Sequence, residues 1–219
     1  MIISHGRSYA FVHIPKTGGT SMALALEVRA MKDDIMLGDT PKALKRRGRL
    51  HDVRTHGRLW KHSTLADIDG LVSPEELAEM FTFTMVRNPW DRMVSYYHWL
   101  RDQGFDHPAV HLAKAQDFAG FLRDPGTQKV QQDWPAARYM TDVRGVERCD
   151  LYLRLEHFET DVARLNVHLG FELTLPQVNR SDRAAEFQRY YTEETRHIVA
   201  NCCASDIKRF DYQFEDKFS

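Results

Sequence analysis

The chain has 219 residues, 42% hydrophobic and 28% charged, enough for one domain with a core of its own. Thirty Lys and Arg face 31 Asp and Glu, and the net charge of −1 argues against a globally basic nucleic-acid binder and against an acidic tail. Three cysteines, Cys149, Cys202 and Cys203, are too few for a disulfide framework and read as small apolar residues of a reduced, cytoplasmic protein. No run approaches the roughly 18 apolar residues of a membrane span, and the first residues lack the pattern of a signal peptide. No repeat or Pro/Gly/Ser linker divides the sequence, so residues 1–219 read as a single domain.

Tyr9 to Ile14 is a short apolar run, rich in β-branched and aromatic residues, that stops at Pro15. It predicts a buried strand. The segment Pro15-Lys16-Thr17-Gly18-Gly19-Thr20-Ser21 follows, and Ser21 to Met31 predicts a helix with Met22, Ala25, Leu26 and Met31 on its buried stripe. A Gly loop between a strand and a helix is where an α/β sheet binds anions. Two glycines allow a tight turn, successive N–H groups can form a nest, and Lys16 adds a full charge. The order is not that of a Walker A loop, because Lys16 precedes both glycines and no Ser/Thr follows a Gly-Lys pair to hold a metal.

Residues 42–62 carry Lys42, Lys45, Arg46, Arg47, Arg49, Arg54, Arg58 and Lys61 against one acid, Asp52, with His51, His56 and His62 among them. Two readings fit: a surface that attracts an anionic acceptor or donor, or a solvated loop. Ser73, Pro74 and Glu76 form a capping-box helix start ahead of a second strand at 81–86. Arg87-Asn88-Pro89-Trp90-Asp91-Arg92 follows that strand. Trp90, Met93, Val94, Tyr97 and Leu100 then mark one face of a helix ending near Gly104, with Ser95 in its first turns. An Arg fork and a Ser hydroxyl suit a second phosphate, while surface pairing of Arg87 and Arg92 with Asp91 or Asp102 is the plainer alternative. A short helix is predicted at 117–124, a third strand at 150–155, a helix at 156–169 closed by Gly170, and a last helix from Thr192 past Cys203. Alternating strands and helices imply an α/β fold with a central, mostly parallel sheet covered on both faces.

The two anion elements together resemble the sulfotransferases that use 3′-phosphoadenosine 5′-phosphosulfate (PAPS). The residues carrying the match are Pro15 to Ser21, and Arg87 to Arg92 with Ser95 and Tyr96. Leu153-Arg154-Leu155-Glu156, Asn179-Arg180-Ser181 and Asp206 to Tyr212 extend it more weakly, with Asp211 where the family commonly has glycine. The carbohydrate-type branch, which includes heparan-sulfate 2-O-sulfotransferase and small bacterial proteins, is the most similar. The resemblance implies a P-loop-like three-layer sandwich, PAPS as donor and no metal. It implies that Pro15, Lys16, Thr17, Gly18, Gly19, Thr20 and Ser21 hold the 5′-phosphosulfate, that Arg87, Ser95 and Arg180 hold the 3′-phosphate, and that Lys16 acts in catalysis.

The acceptor would be a hydroxyl, of a carbohydrate or an anionic glycan, with no nucleic acid involved. An imidazole suits the general base at neutral pH. His62 is the first candidate, because relatives resembling this chain carry a histidine there, and His56 is the second. His13, inside the first strand, reads as packed structure. A P-loop small-molecule kinase and a non-catalytic nucleotide- or polyanion-binding module remain as alternatives. Neither acceptor identity nor oligomeric state is written in the sequence.

Overall fold

The computed structural model describes residues 1–176 and 186–215. The chain runs β1 (Ile2–Ser4), β2 (Tyr9–Val12), α1 (Gly19–Val28), β3 (Ile35–Met36), α2 (Pro41–Arg46), α3 (Pro74–Ala78), β4 (Phe81–Val86) and α4 (Pro89–Arg101). It continues through α5 (Pro108–Ala115), α6 (Phe118–Arg123), α7 (Pro125–Asp133), α8 (Ala136–Tyr139), β5 (Leu151–Arg154), α9 (Phe158–Asp161), α10 (Ala163–Leu169), α11 (Glu193–Cys202) and α12 (Ala204–Phe210). Two compact units result: Met1–Val86 with Ala136–Val178, and Arg87–Pro135 with Asn179–Ser219.

The first unit holds a five-stranded sheet in the order β3-β1-β2-β4-β5. The pairs β2–β4 and β4–β5 are parallel, whereas β1 pairs antiparallel with both β2 and β3. The sheet is therefore mixed, with β1 alone running against the rest. Alternate residues divide between its faces. Tyr9, Phe11, Phe83, Met85 and Leu153 pack with Met22 and Leu26 of α1 and with Phe158, Leu165 and Leu169. Ala10, Val12, Thr82 and Thr84, which point the other way, are buried as well. Burial on both faces is what a parallel α/β sheet requires, and it explains why these strands read as apolar runs.

The second unit is helical. Trp90, Met93, Val94, Tyr97 and Leu100 of α4 are all buried, as their spacing predicts. Tyr97 packs its ring on Phe118 and Phe121 of α6. Trp90 Nε1 donates to Arg196 O at 3.0 Å, and Tyr191 Oη donates to Trp90 O at 2.7 Å. These bonds satisfy the polar atoms of two large, mostly apolar rings.

Several elements differ from expectation. The first helix begins at Gly19 and ends at Val28, so Met31 lies beyond it and is 41% exposed. The helix predicted over 156–169 is broken into a 3₁₀ turn, α9 and α10. The last helix breaks at Cys203, and its second half ends at Asp211, which adopts the left-handed conformation (φ +54°). That conformation is one glycine takes without strain, which accounts for the family's preference there. The capping box forms as read, with Ser73 N donating to Glu76 Oε2 and Glu76 N to Ser73 Oγ. Cys202 and Cys203 are buried and Cys149 half-buried, all as free thiols. Among the described residues no helix is long and apolar enough to cross a membrane.

Candidate functional site

β2 ends at Val12, and the chain turns through Pro15 to Gly18 into α1. Lys16 sits at φ +66° and Gly18 at φ +87°. A left-handed lysine costs on the order of 1 kcal/mol, a cost retained mostly where surrounding structure or function demands it. Gly18 is required twice over, because a Cβ there would also lie 2.9 Å from Leu155 Cδ1 at the end of β5. No side chain caps α1 and no acid stands in its first turn. Its leading amides, from Gly19 to Ser21, have no intrahelical acceptor by helix geometry. With Lys16 alongside, this helix start has the chemistry to receive an anion.

The carbonyls at the end of β2 are handed from the sheet to side chains. Val12 O accepts from Thr84 Oγ1 at 2.8 Å, His13 O from His62 Nδ1 at 2.7 Å, and Ile14 O from Thr17 Oγ1 at 2.9 Å. A carbonyl can only accept, so His62 carries its hydrogen on Nδ1 and its lone pair on Nε2. His62 also packs edge-on against His13 at 4.6 Å and Trp60 at 5.0 Å. Burial is the largest influence on its imidazole and pushes the pKa down to about 4, with Lys61 adding to the fall and the bond to His13 O opposing it. His62 is therefore neutral at pH 7. His13 is only 6% exposed and its pKa is well below the usual imidazole value, first through burial and then through His62 and the lysines Lys61 and Lys16.

Gly19 lies directly on the His13 ring. A Cβ at Gly19 would fall 2.1 Å from His13 Cδ2. His13 thus touches the Gly loop with its ring and His62 with its carbonyl. A small cleft on the same unit is lined by His13, Thr20, Asp39 and Lys61, among others. Two of these lining residues are bonded to each other, Lys61 Nζ donating to Asp39 Oδ2 at 2.7 Å. His56 is exposed, and its backbone N–H donates to Asp69 O at 2.9 Å.

The basic stretch is not one surface. Lys42 Nζ donates to Glu27 O, Arg46 Nη1 to Asp34 O and Arg49 Nη1 to Lys32 O. Lys42 thus meets a carbonyl in the last turn of α1, where positive charge is favoured, while Arg46 and Arg49 meet carbonyls of the segment that follows it. Residues 41–50, a loop on the second of the two readings, form α2 and a 3₁₀ turn.

In the second unit Arg87 follows the last residue of β4. Its Nε and Nη2 both approach Asp91 Oδ2, at 2.6 and 2.5 Å, and the Asp91 side chain is fully buried. The Arg87–Asp91 pair weighed from the sequence is therefore formed, as a held guanidinium and not as a loose surface contact. Asn88 caps α4 by accepting from Trp90 N at 3.1 Å, and its Nδ2 donates to Gln213 O at 2.8 Å. Ser95 is buried on α4. Arg180, with its neighbours Asn179 and Ser181, lies outside the described residues.

The loop 15–21, His62 and His13 thus gather in the first unit, while Arg87 and Ser95 belong to the second. Sequence reasoning missed the handover of the β2 carbonyls, since His13 and His62 lie 49 residues apart. No curated protein matches the chain in sequence. Among solved structures, mouse sulfotransferase SULT7A1 complexed with PAP superposes with a TM-score of 0.54 at 15% identity, covering 93% of this chain and 84% of that one. The likeness confirms the α/β sulfotransferase fold. The family described as "Sulfotransferase family" matches residues 1–213, which takes in both units. With nearly the whole length matched, the chain belongs to the sulfotransferase family.

Proposed function

We propose that the protein transfers the sulfuryl group of PAPS to a hydroxyl of a carbohydrate acceptor, in the manner of the heparan-sulfate 2-O-sulfotransferase branch. The observation that carries this reading is the uncapped start of α1 with Lys16 held in a left-handed conformation beside it. The PAP named with mouse SULT7A1 is the product such a donor would leave.

Sulfuryl transfer places three equatorial oxygens between two in-line oxygens, so positioning and charge stabilisation dominate. The amides of Gly18 to Ser21 would hold the 5′-phosphosulfate, with Pro15 and Thr17 fixing the loop. Lys16 would stabilise charge on the oxygen that leaves the sulfur. Arg87 and Ser95 would take the 3′-phosphate, and Arg180 is assigned with them by resemblance alone. His62 would accept the acceptor's proton on Nε2. Burial keeps it neutral and so able to accept a proton at pH 7, though as a weaker base than a free imidazole. His56, on an exposed loop, is the less favoured base. The products are a sulfate ester and adenosine 3′,5′-bisphosphate.

The test is ligand stabilisation. At 100 times its Kd the bisphosphate should add about 2.7 kcal/mol, or roughly 5–10 °C in Tm for a chain of this size. Stabilisation by ATP–Mg²⁺ without stabilisation by the bisphosphate would sink the reading.

A further inference from the structure

The turn that carries His62 also displays an aromatic ring and a cation. Ser63, fully buried, locks this turn: Trp60 N donates to Ser63 Oγ at 2.9 Å, and Ser63 Oγ lies 2.9 Å from both Arg58 O and Trp60 O. Trp60 is nevertheless 44% exposed. Its ring stands edge-on to His62, with centroids 5.0 Å apart and an interplanar angle of 87°. Arg58 lies over the same ring at 5.7 Å. Among the described residues no carboxylate pairs with Arg58, whereas Lys61 is paired with Asp39, and Lys42, Arg46 and Arg49 are bound to carbonyls.

An exposed tryptophan forfeits the burial that would stabilise it, and here a fully satisfied turn fixes it in that position. Placed against the candidate base, it offers a flat apolar face to the ring that bears the reacting hydroxyl. The guanidinium beside it offers two-pronged hydrogen bonding to an acid. Aromatic rings and arginines of this kind dominate recognition energies.

We infer that Trp60 and Arg58 form the acceptor subsite, selecting a ring-shaped hydroxyl acceptor that carries a negative charge: the ring stacks on Trp60 and the anion pairs with Arg58. This rests on His62 being the base. A uronic sugar and an aryl acid both present these two features, so the experiment includes each.

Calorimetry on bisphosphate-saturated protein would use four probes: an unsulfated tetrasaccharide containing hexuronic acid, its carboxyl-reduced counterpart, 4-hydroxybenzoate and phenol. The wild type should bind one of the anionic probes about tenfold more tightly than its neutral partner. Arg58→Gln should abolish that preference, leaving neutral-probe affinity unchanged. Trp60→Ala should weaken both members of the preferred pair about tenfold, and Trp60→Phe should restore most of the loss. In every variant the bisphosphate should still raise Tm, which shows an intact fold and donor site. Failure of all four probes to bind, a preference that survives Arg58→Gln, or unchanged affinity in Trp60→Ala would each overturn the subsite. Loss of the Tm response in the wild type would instead overturn the donor reading. Preference for the aryl acid would retain the subsite and displace the carbohydrate.

Discussion

Substituting Gly19 by alanine isolates one contact. Gly19 is the first residue of α1, and its φ is not in the left-handed region, so alanine suits the backbone. Helix propensity alone would favour the change by about 1 kcal/mol. The opposing effect is steric: the new methyl would lie 2.1 Å from His13 Cδ2, 2.5 Å from Nε2 and 2.8 Å from Cγ. Relief requires movement of roughly 1 Å or more to reach ordinary carbon contact distance. His13 has little room to give it, since its ring stacks near Phe11 at 6.1 Å and meets His62 at 4.6 Å. Overpacking of this kind costs roughly 1–3 kcal/mol, which lowers Tm by about 2–12 °C in a chain of this length. The loop should move with the helix start, so bisphosphate binding should weaken as well. Thermal melts of Gly19→Ala, His13→Ala and the double variant decide the matter. The double variant gives the added methyl space, and its destabilisation should fall short of the summed single effects by about 1–3 kcal/mol. Strict additivity, or a neutral Gly19→Ala, would refute the claim that the His13 ring supports the Gly loop.

Lys16→Gly should be about 1 kcal/mol more stable than Lys16→Ala, because only glycine adopts φ +66° without strain, while both lose nearly all sulfuryl transfer; chemical denaturation and a sulfate-incorporation assay check the two halves. Asp91→Ala should cost about 3–5 kcal/mol, since it strips the buried carboxylate from Arg87, and equal urea midpoints for variant and wild type would count against that pairing. Burial holds His62 at about 4 and His13 well below its usual value, so below about pH 6.5 the unfolded chain binds more protons than the folded one. Stability is complete above about pH 6.5 and is lost as pH falls toward 4, at about 1.4 kcal/mol per pH unit for each histidine. In urea titrations across that range, His62→Gln should remove one histidine's share of the slope, and an unchanged slope would contradict the burial of a neutral His62.

The legible parts of the fold were those with local signals. Phe81 to Val86 reads as a strand and forms one with the same limits, because it is buried on both faces. The α4 face, the Ser73 capping box and the loop 15–21 are likewise written in residues that stand close together in sequence. β1 and β3, of three and two residues, are too short to show a period. α5 and α7 carried the right punctuation, a capping side chain and then proline, but α7 buries none of its residues and so lacks the apolar face that would reveal it. The basic stretch misled for another reason. Lys42, Arg46 and Arg49 find backbone carbonyls as partners, and a carbonyl leaves no trace in a sequence. Asp211 is the reverse case: it stands where the family commonly has glycine, and that substitution alone points to the left-handed backbone it adopts.

The strand end explains why the chemistry collects where it does. β2 pairs with β4 only as far as Val12 and Thr84, so the next carbonyls leave the ladder while still buried. Each must find another donor, since an unsatisfied buried carbonyl costs about as much as a lost hydrogen bond. The donors are His62 and Thr17 in turn. One requirement of backbone accounting thus fixes the loop through Thr17 and orients an imidazole through His62. A proline at position 15 ends any attempt to continue the strand, because it has no N–H to give. The same stop that opens the Gly loop therefore frees the His13 carbonyl for His62. Asparagine at position 62 could keep a bond to that carbonyl through its amide N–H, but it would offer no basic nitrogen. His62→Asn should accordingly preserve the fold and the Tm response to the bisphosphate while removing most turnover; retention of full turnover would move the base to another residue.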